Sequence, residues 1–184
     1  MEVTATDITD VKLVMPRRFE DQRGFFSEVY NEKTFADAGI DVRFVQDNHS
    51  RSLKRGTVRG LHFQVPPYAQ DKLVRVVGGA IFDVAVDLRR HSPTYGQHVT
   101  AEISAKKWNQ ILVPKGFAHG FMTLEPNTEV IYKVSDSYAP DHDQGLRWND
   151  PDLNIAWPLG EDEAVLSAKD KQQPFWRDFT TPFR

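Results

Sequence analysis

The stretch Leu73-Val74-Arg75-Val76-Val77-Gly78-Gly79-Ala80-Ile81-Phe82-Asp83-Val84-Ala85-Val86-Asp87-Leu88 decides the fold. Its second half alternates with a period of two. Ala80, Phe82, Val84, Val86 and Leu88 share one face, while Asp83 and Asp87 lie on the other, which is a strand pattern. Leu73 to Val77 is a second apolar, β-branched run. The Gly78-Gly79 pair between them predicts a tight hairpin, because primed turns need positive φ. The same period recurs on either side. Val99, Ala101 and Ile103 alternate with Thr100, Glu102 and Ser104, and Val130, Tyr132 and Val134 share one face of a further strand. Pro93, Pro114, Pro126 and Pro140 mark strand ends. Helical signals are few. Asn31 to Ala38 reads as a short helix, with Asn31 as its N-cap and Gly39 as its left-handed stop. Ser167 to Gln173 reads as another, ending before Pro174. Many short antiparallel strands predict an all-β domain, a sandwich or barrel of the jelly-roll type with a few short helices. Periodicity leaves the strand order open.

The chain of 184 residues shows no internal repeat, linker or charge block, so one domain spanning residues 1–184 is expected. With 40% hydrophobic and 27% charged residues the composition is that of a globular protein, not of a disordered or fibrous one. Lys and Arg total 23 against 26 Asp and Glu, a formal net charge of −3, so no basic excess drives binding to nucleic acid or an acidic membrane. Cysteine is absent, which excludes a disulfide scaffold, a thiolate zinc site and a cysteine nucleophile. The first ten residues lack a cationic-then-apolar leader, and no apolar run approaches the ~20 residues of a membrane span. A cytoplasmic protein is expected.

Two segments invite a chemical reading. In Arg59-Gly60-Leu61-His62-Phe63-Gln64, a strand reading puts Gly60, His62 and Gln64 on one face and Arg59, Leu61 and Phe63 on the other. His62 is then either a hydrogen-bonded strand histidine or a base facing a barrel mouth. Pro114-Lys115-Gly116-Phe117-Ala118-His119-Gly120-Phe121 resembles the second motif of the cupin superfamily of small jelly-roll barrels, in which the histidine often binds metal. The first cupin motif needs a His-x-His pair and a following glutamate. Here His62 is followed by Gln64, and Val65-Pro66-Pro67-Tyr68 carries no glutamate. Transition-metal sites usually take three or four nitrogen and carboxylate ligands. The expectation is a cupin-like barrel without a catalytic metal. Lys72, Tyr132 and Asp170 each have an ordinary structural reading. These are a solvated edge lysine, an amphipathic core tyrosine and the last residue of a Ser167-x-x-Asp170 capping box.

Read together, the blocks resemble the dTDP-4-dehydrorhamnose 3,5-epimerase family nearly end to end, from Phe19 to Pro174. The resemblance rests on Arg23-Gly24-Phe25-Phe26 with Glu28, on Phe44-Val45-Gln46-Asp47-Asn48-His49-Ser50 and on Arg59 to Gln64. It continues through Lys72-Leu73-Val74-Arg75, Phe82 to Asp87, Gly116 to Phe121 and Tyr132-Lys133. It closes with Trp148-Asn149-Asp150-Pro151 and Ser167-Ala168-Lys169-Asp170.

That resemblance implies epimerisation at C3 and C5 of a 4-keto-6-deoxyhexose carried on dTDP. Both carbons flank the C4 ketone, so loss of either proton gives an enolate and no redox cofactor is needed. His62 resembles the family's base; an imidazole titrates near pH ~6.5. Tyr132 resembles the acid on the opposite sugar face, and Lys72 the group that stabilises the enolate oxygen. Asp170 resembles the partner that fixes the His62 tautomer. Arg59 and Arg23 resemble a pyrophosphate clamp. Phe19 and Tyr138 resemble the aromatics around thymine, with Glu28, Gln46 and Asn48 beside it. His119 resembles a sugar or phosphate contact, and Lys169 a further substrate contact. Asp143 stands where many relatives carry glutamate, a departure from the family pattern at a substrate-contact position. A homodimer that shares site residues is implied as well. Three other readings stay open at this level: an epimerase of a single carbon, a metal-dependent cupin enzyme and a non-catalytic nucleotide-sugar binder.

Overall fold

A computed structural model describes all residues, Met1–Arg184, as two antiparallel sheets packed face to face. In chain order the strands are β1 (Glu2–Ala5), β2 (Lys12–Met15), β3 (Arg18–Asp21) and β4 (Gly24–Ser27), followed by a helix α1 (Glu32–Asp37). Then come β5 (Gln46–Ser52), β6 (Val58–Gln64), β7 (Lys72–Gly78), β8 (Ala80–Asp87), β9 (His98–Ser104), β10 (Gln110–Val113), β11 (Phe117–Thr123), β12 (Thr128–Val134) and β13 (Asp143–Gly145). The first sheet has the order β1-β2-β10-β7-β12-β5 and the second β13-β6-β11-β8-β9; β3 and β4 pair only with each other. This is the expected jelly-roll fold of the cupin type. No helix is long and apolar enough to cross a membrane.

The central core lies between the sheets. Val74 and Val76 of β7, Ile111 and Val113 of β10 and Val130 of β12 meet Ile81 and Ala85 of β8, Val99 and Ile103 of β9, and Phe117 and Phe121 of β11. Both outer faces are covered as well. Helix α1 and the segment after it bring Phe35 and Ile40 onto Val14, Leu73 and Leu112. The C-terminal stretch lays Leu146, Leu153 and Phe183, with Trp157, Trp176 and Phe179, over Leu61, Phe63, Val84, Val86 and Leu88. Strands buried on two faces need not alternate strictly in polarity, and all four residues of β10 and all seven of β11 are buried.

The double cover decides which side of β8 faces inward. Its apolar face, Val84, Val86 and Leu88, packs outward against the C-terminal stretch, while Ile81 and Ala85 face the barrel interior. Asp83 and Asp87 share that interior side, by the period of the strand.

Two expectations are corrected. Gly78-Gly79 is not a hairpin: β7 pairs with β10 and β12, whereas β8 pairs with β11 and β9, so the glycines carry the chain from one sheet to the other. Gly79 has φ +79°, and a Cβ there would stand 2.5 Å from Thr128 Oγ1. A crossing between sheets uses the same left-handed residue as a primed turn, so the dipeptide alone does not separate the two. The helix expected over Ser167–Gln173 shrinks to one 3₁₀ turn, Asp170–Gln172. By contrast, α1 has its N-cap at Asn31, whose side chain accepts from the Thr34 amide at 3.0 Å, and Gly39 follows at φ +80°.

Candidate active site

A cavity of about 430 Å³ opens between the sheets, and its walls come from both. Arg59 and His62 of β6 and His119 of β11 line it from the second sheet; Lys72 of β7 and Tyr132 of β12 line it from the first. The chain after β13 closes a third side with Val165, Leu166, Ser167, Lys169 and Asp170. That segment is held down by backbone hydrogen bonds from Val58 N–H to the Val165 carbonyl and from Val165 N–H to the Gly56 carbonyl, each 2.9 Å.

Strict alternation predicts Arg59 and His62 on opposite faces of their strand, yet both reach this cavity. The cause is a register shift. His62 pairs with His119 and Arg59 with Phe121, so β6 spends one residue more than β11 over the same interval. A bulge of this kind turns later side chains to the other face. Gly60 makes it feasible: at φ +137° a Cβ would stand 2.5 Å from the Gly120 Cα.

His62 Nε2 lies 2.5 Å from Asp170 Oδ1. Burial pushes the Asp170 carboxyl up, but the His62 hydrogen bond and charge, Ser167 and Lys169 outweigh it and hold it below the usual carboxylate value. An ionised Asp170 accepts, so Nε2 carries the proton and Nδ1 keeps the lone pair of the neutral ring. Capping and pairing do not compete here. The Ser167 hydroxyl accepts from the Asp170 amide at 3.1 Å, which leaves the carboxylate to His62.

Lys72 Nζ donates to the His62 carbonyl at 3.3 Å, tying the two walls together. Burial depresses its ammonium to about 8, against the opposing pull of Asp143 and Asp83. Burial likewise raises the Tyr132 phenol, while the nearby Arg59 charge lowers it. His119 is buried and its Nε2 donates to Asp83 Oδ2 at 2.8 Å. Arg59 Nε donates to the Ser52 hydroxyl at 3.2 Å. At the rim, Asp143 accepts from Lys169 Nζ at 2.5 Å and from the Tyr138 hydroxyl at 3.2 Å. Gln46 accepts from the Tyr138 amide at 3.1 Å and donates to Asn48 at 2.9 Å.

Phe19, Arg23 and Glu28 are not brought to this cavity. Phe19 lies on the β3–β4 ribbon, about half exposed, and Arg23 pairs with Asp21 at 2.6 Å. No three His, Asp or Glu side chains converge in the way a metal ion needs, since each cavity histidine faces its own carboxylate. Sequence reasoning passed over Asp83 and Ser167. The signal for Asp83 was present, an acid inside the apolar run Ile81–Val86, and the Ser167 hydroxyl was read only as a cap.

A basic imidazole, a phenol and an ammonium around one solvent-open cavity form an acid–base constellation. Comparison with known proteins points the same way. The family model for dTDP-4-dehydrorhamnose 3,5-epimerase matches residues 5–178. The curated relative of that name from Sinorhizobium fredii is 54% identical over 174 residues, covering 95% of this chain and 89% of its own. The Bacillus anthracis dTDP-4-dehydrorhamnose 3,5-epimerase, solved with TDP and PPi bound, superposes with a TM-score of 0.91 at 52% identity, covering 95% of this chain and 98% of its own. The dTDP-6-deoxy-D-glucose-3,5-epimerase of Legionella pneumophila, solved with dTDP-4-keto-L-rhamnose, gives 0.94 at 41% identity, covering 100% of this chain and 98% of its own. The chain is an epimerase and belongs to the dTDP-4-dehydrorhamnose 3,5-epimerase family.

Proposed function

We propose that this epimerase inverts C3 and C5 of a dTDP-4-keto-6-deoxyhexose, with the sugar held between the two walls of the cavity. His62 Nδ1 takes the proton from the carbon next to the ketone, and the C–H electron pair moves onto the C4 oxygen. The Lys72 ammonium stabilises that enolate oxygen by charge already in place. Tyr132, reaching in from the opposite sheet, returns a proton to the other sugar face, and solvent restores the phenol and the neutral imidazole. Asp170 supports the imidazolium while it exists. Arg59 and His119 take phosphate or sugar oxygens, and Lys169 and Asp143 complete the rim. The observation that carries this reading is the His62–Asp170 pair at 2.5 Å opening on a cavity that also holds Lys72 and Tyr132.

The nucleotide end is completed, in this reading, by a second copy of the chain. The β3–β4 ribbon stands apart from both sheets with Phe25 and Phe26 more than half exposed, and it carries Phe19 and Arg23, with Glu28 next in the chain. Mixing His62→Ala with Arg23→Ala protein tests the sharing: regained activity supports it, and a mixture as inactive as its components contradicts it.

The activity is tested by incubating the dTDP-4-keto sugar with enzyme in deuterated water. Deuterium at both C3 and C5 is expected. Label at one carbon only reduces the enzyme to a single-position epimerase, and no label leaves a binding protein.

A further inference from the structure

Asp83 is fully buried on the interior face of β8, close to the cavity but not among the groups given a step above. Its Oδ2 accepts from His119, while its Oδ1 has no hydrogen-bond partner although it is closed off from solvent. A buried carboxylate with an open lone pair is costly, so its retention among Ile81, Val84 and Ala85 calls for a purpose. Two basic side chains act on it, His119 and Lys72, and both line the cavity. Lys72, with three donors, has one hydrogen-bond acceptor, the His62 carbonyl.

We propose that Asp83 is a positioning residue for the epimerisation: Oδ2 fixes the His119 ring, and the buried charge keeps Lys72 an ammonium facing the C4 oxygen. This rests on the assignment of Lys72 to the enolate oxygen. The electrostatics are reciprocal. Burial pushes Lys72 down and Asp83 up, and each pulls the other back toward its charged form. The other groups facing Lys72 are Asp143, His62, His119, Tyr132 and Arg59. Asp143 is the other acid whose charge acts on Lys72, and it is already engaged by Lys169 and Tyr138 at the rim. Asp170 and Lys169 also line the cavity, with Asp170 engaged by His62.

Asp83→Asn keeps the shape and removes the charge. With lysine carrying ¹³C at Cε, the Lys72 resonance reports its titration directly and without substrate. The midpoint, near 8 in the parent, falls by about one pH unit or more in the variant, the scale of an opposite charge removed at close range. The alkaline limb of kcat moves with it, so that for a shift of one unit turnover at pH 8 drops about fivefold. A carboxylate that merely packs lowers the melting temperature and moves neither. Unchanged midpoint and limb in a folded variant overturn the proposal. Should Asp83→Asn not fold, the ¹³Cγ signal of Asp83 in the parent protein decides: an inflection at the Lys72 midpoint is expected, and a flat trace through it overturns the idea. Because the Lys72 titration needs no turnover, its failure leaves the epimerase reading standing; missing solvent exchange in the parent enzyme sinks that reading alone.

Discussion

Asp83 and Asp87 sit four residues apart on β8, both without solvent exposure, and they are treated oppositely. Asp87 has every acceptor position filled. Its Oδ1 accepts from the Arg89 amide and Nε, both at 2.9 Å; its Oδ2 accepts from Arg89 Nη2 at 2.8 Å, Ser92 Oγ at 2.5 Å and Thr94 Oγ1 at 2.7 Å. Burial pushes Asp87 up, but these donors together hold it down at about 2. Asp83 has a single donor and an orphaned oxygen, and burial holds its carboxyl above the usual range. One end of the strand is finished as scaffold. Its middle, at Asp83, is left electrostatically unfinished, beside the cavity, where a charge is useful only if it is not fully neutralised.

That division predicts rate losses without stability losses around the cavity and the reverse around Asp87. The largest effect is His62→Ala. Turnover and solvent exchange both fall by about 10⁴, the upper range for a positioned acid–base group, while the melting temperature holds. Retained exchange in that variant would move the base elsewhere. Asp170→Asn follows at about 10², since the ring loses its charged, acceptor-only partner, and an amide that can donate no longer secures the Nδ1 lone pair. A loss seen only in melting temperature would return Asp170 to a capping role. Asp87→Asn costs about 1–3 kcal/mol through donors left without an anion. That is a drop of roughly 3–10 °C at this chain length, with kcat per folded molecule unchanged; a fall in kcat would erase the contrast between the two aspartates. The smallest effect is in acid. Because Asp87 is depressed in the folded state, its stabilisation is complete above the unfolded value near pH ~4 and is lost as pH falls toward 2. The stability gap between parent and Asp87→Asn therefore narrows over that range, and a constant gap would show that the charge of Asp87 is not what matters.

Strand content was legible because β-branched runs such as Leu73–Val77 and Val130–Val134 leave few alternatives. What could not be read was which side of a strand faces inward. The apolar side of β8 packs outward because residues 146–183 cover it, and a cover contributed from some 60 to 100 residues further along the chain leaves no local trace. Gly78-Gly79 misled for a related reason, since positive φ serves a crossing as well as a hairpin. The convergence of Arg59 with His62 depended on a one-residue bulge against β11, and alternation has no term for it. His62, Lys72, Tyr132 and Asp170, by contrast, line one cavity, although no local pattern linked them. Phe19, Arg23 and Glu28 lie away from the cavity.

The claim everything else leans on is that two groups on opposite walls handle the proton, His62 removing it and Tyr132 delivering it to the other face. Tyr132→Phe in deuterated water tests this most directly, because the ring and its packing survive while the donor is lost. The account predicts an unchanged melting curve, product formation reduced by about 10² to 10⁴, and continuing deuterium entry into the substrate with its configuration retained, through His62 alone. Turnover equal to that of the parent would contradict it, placing the second proton donor on another group or on water.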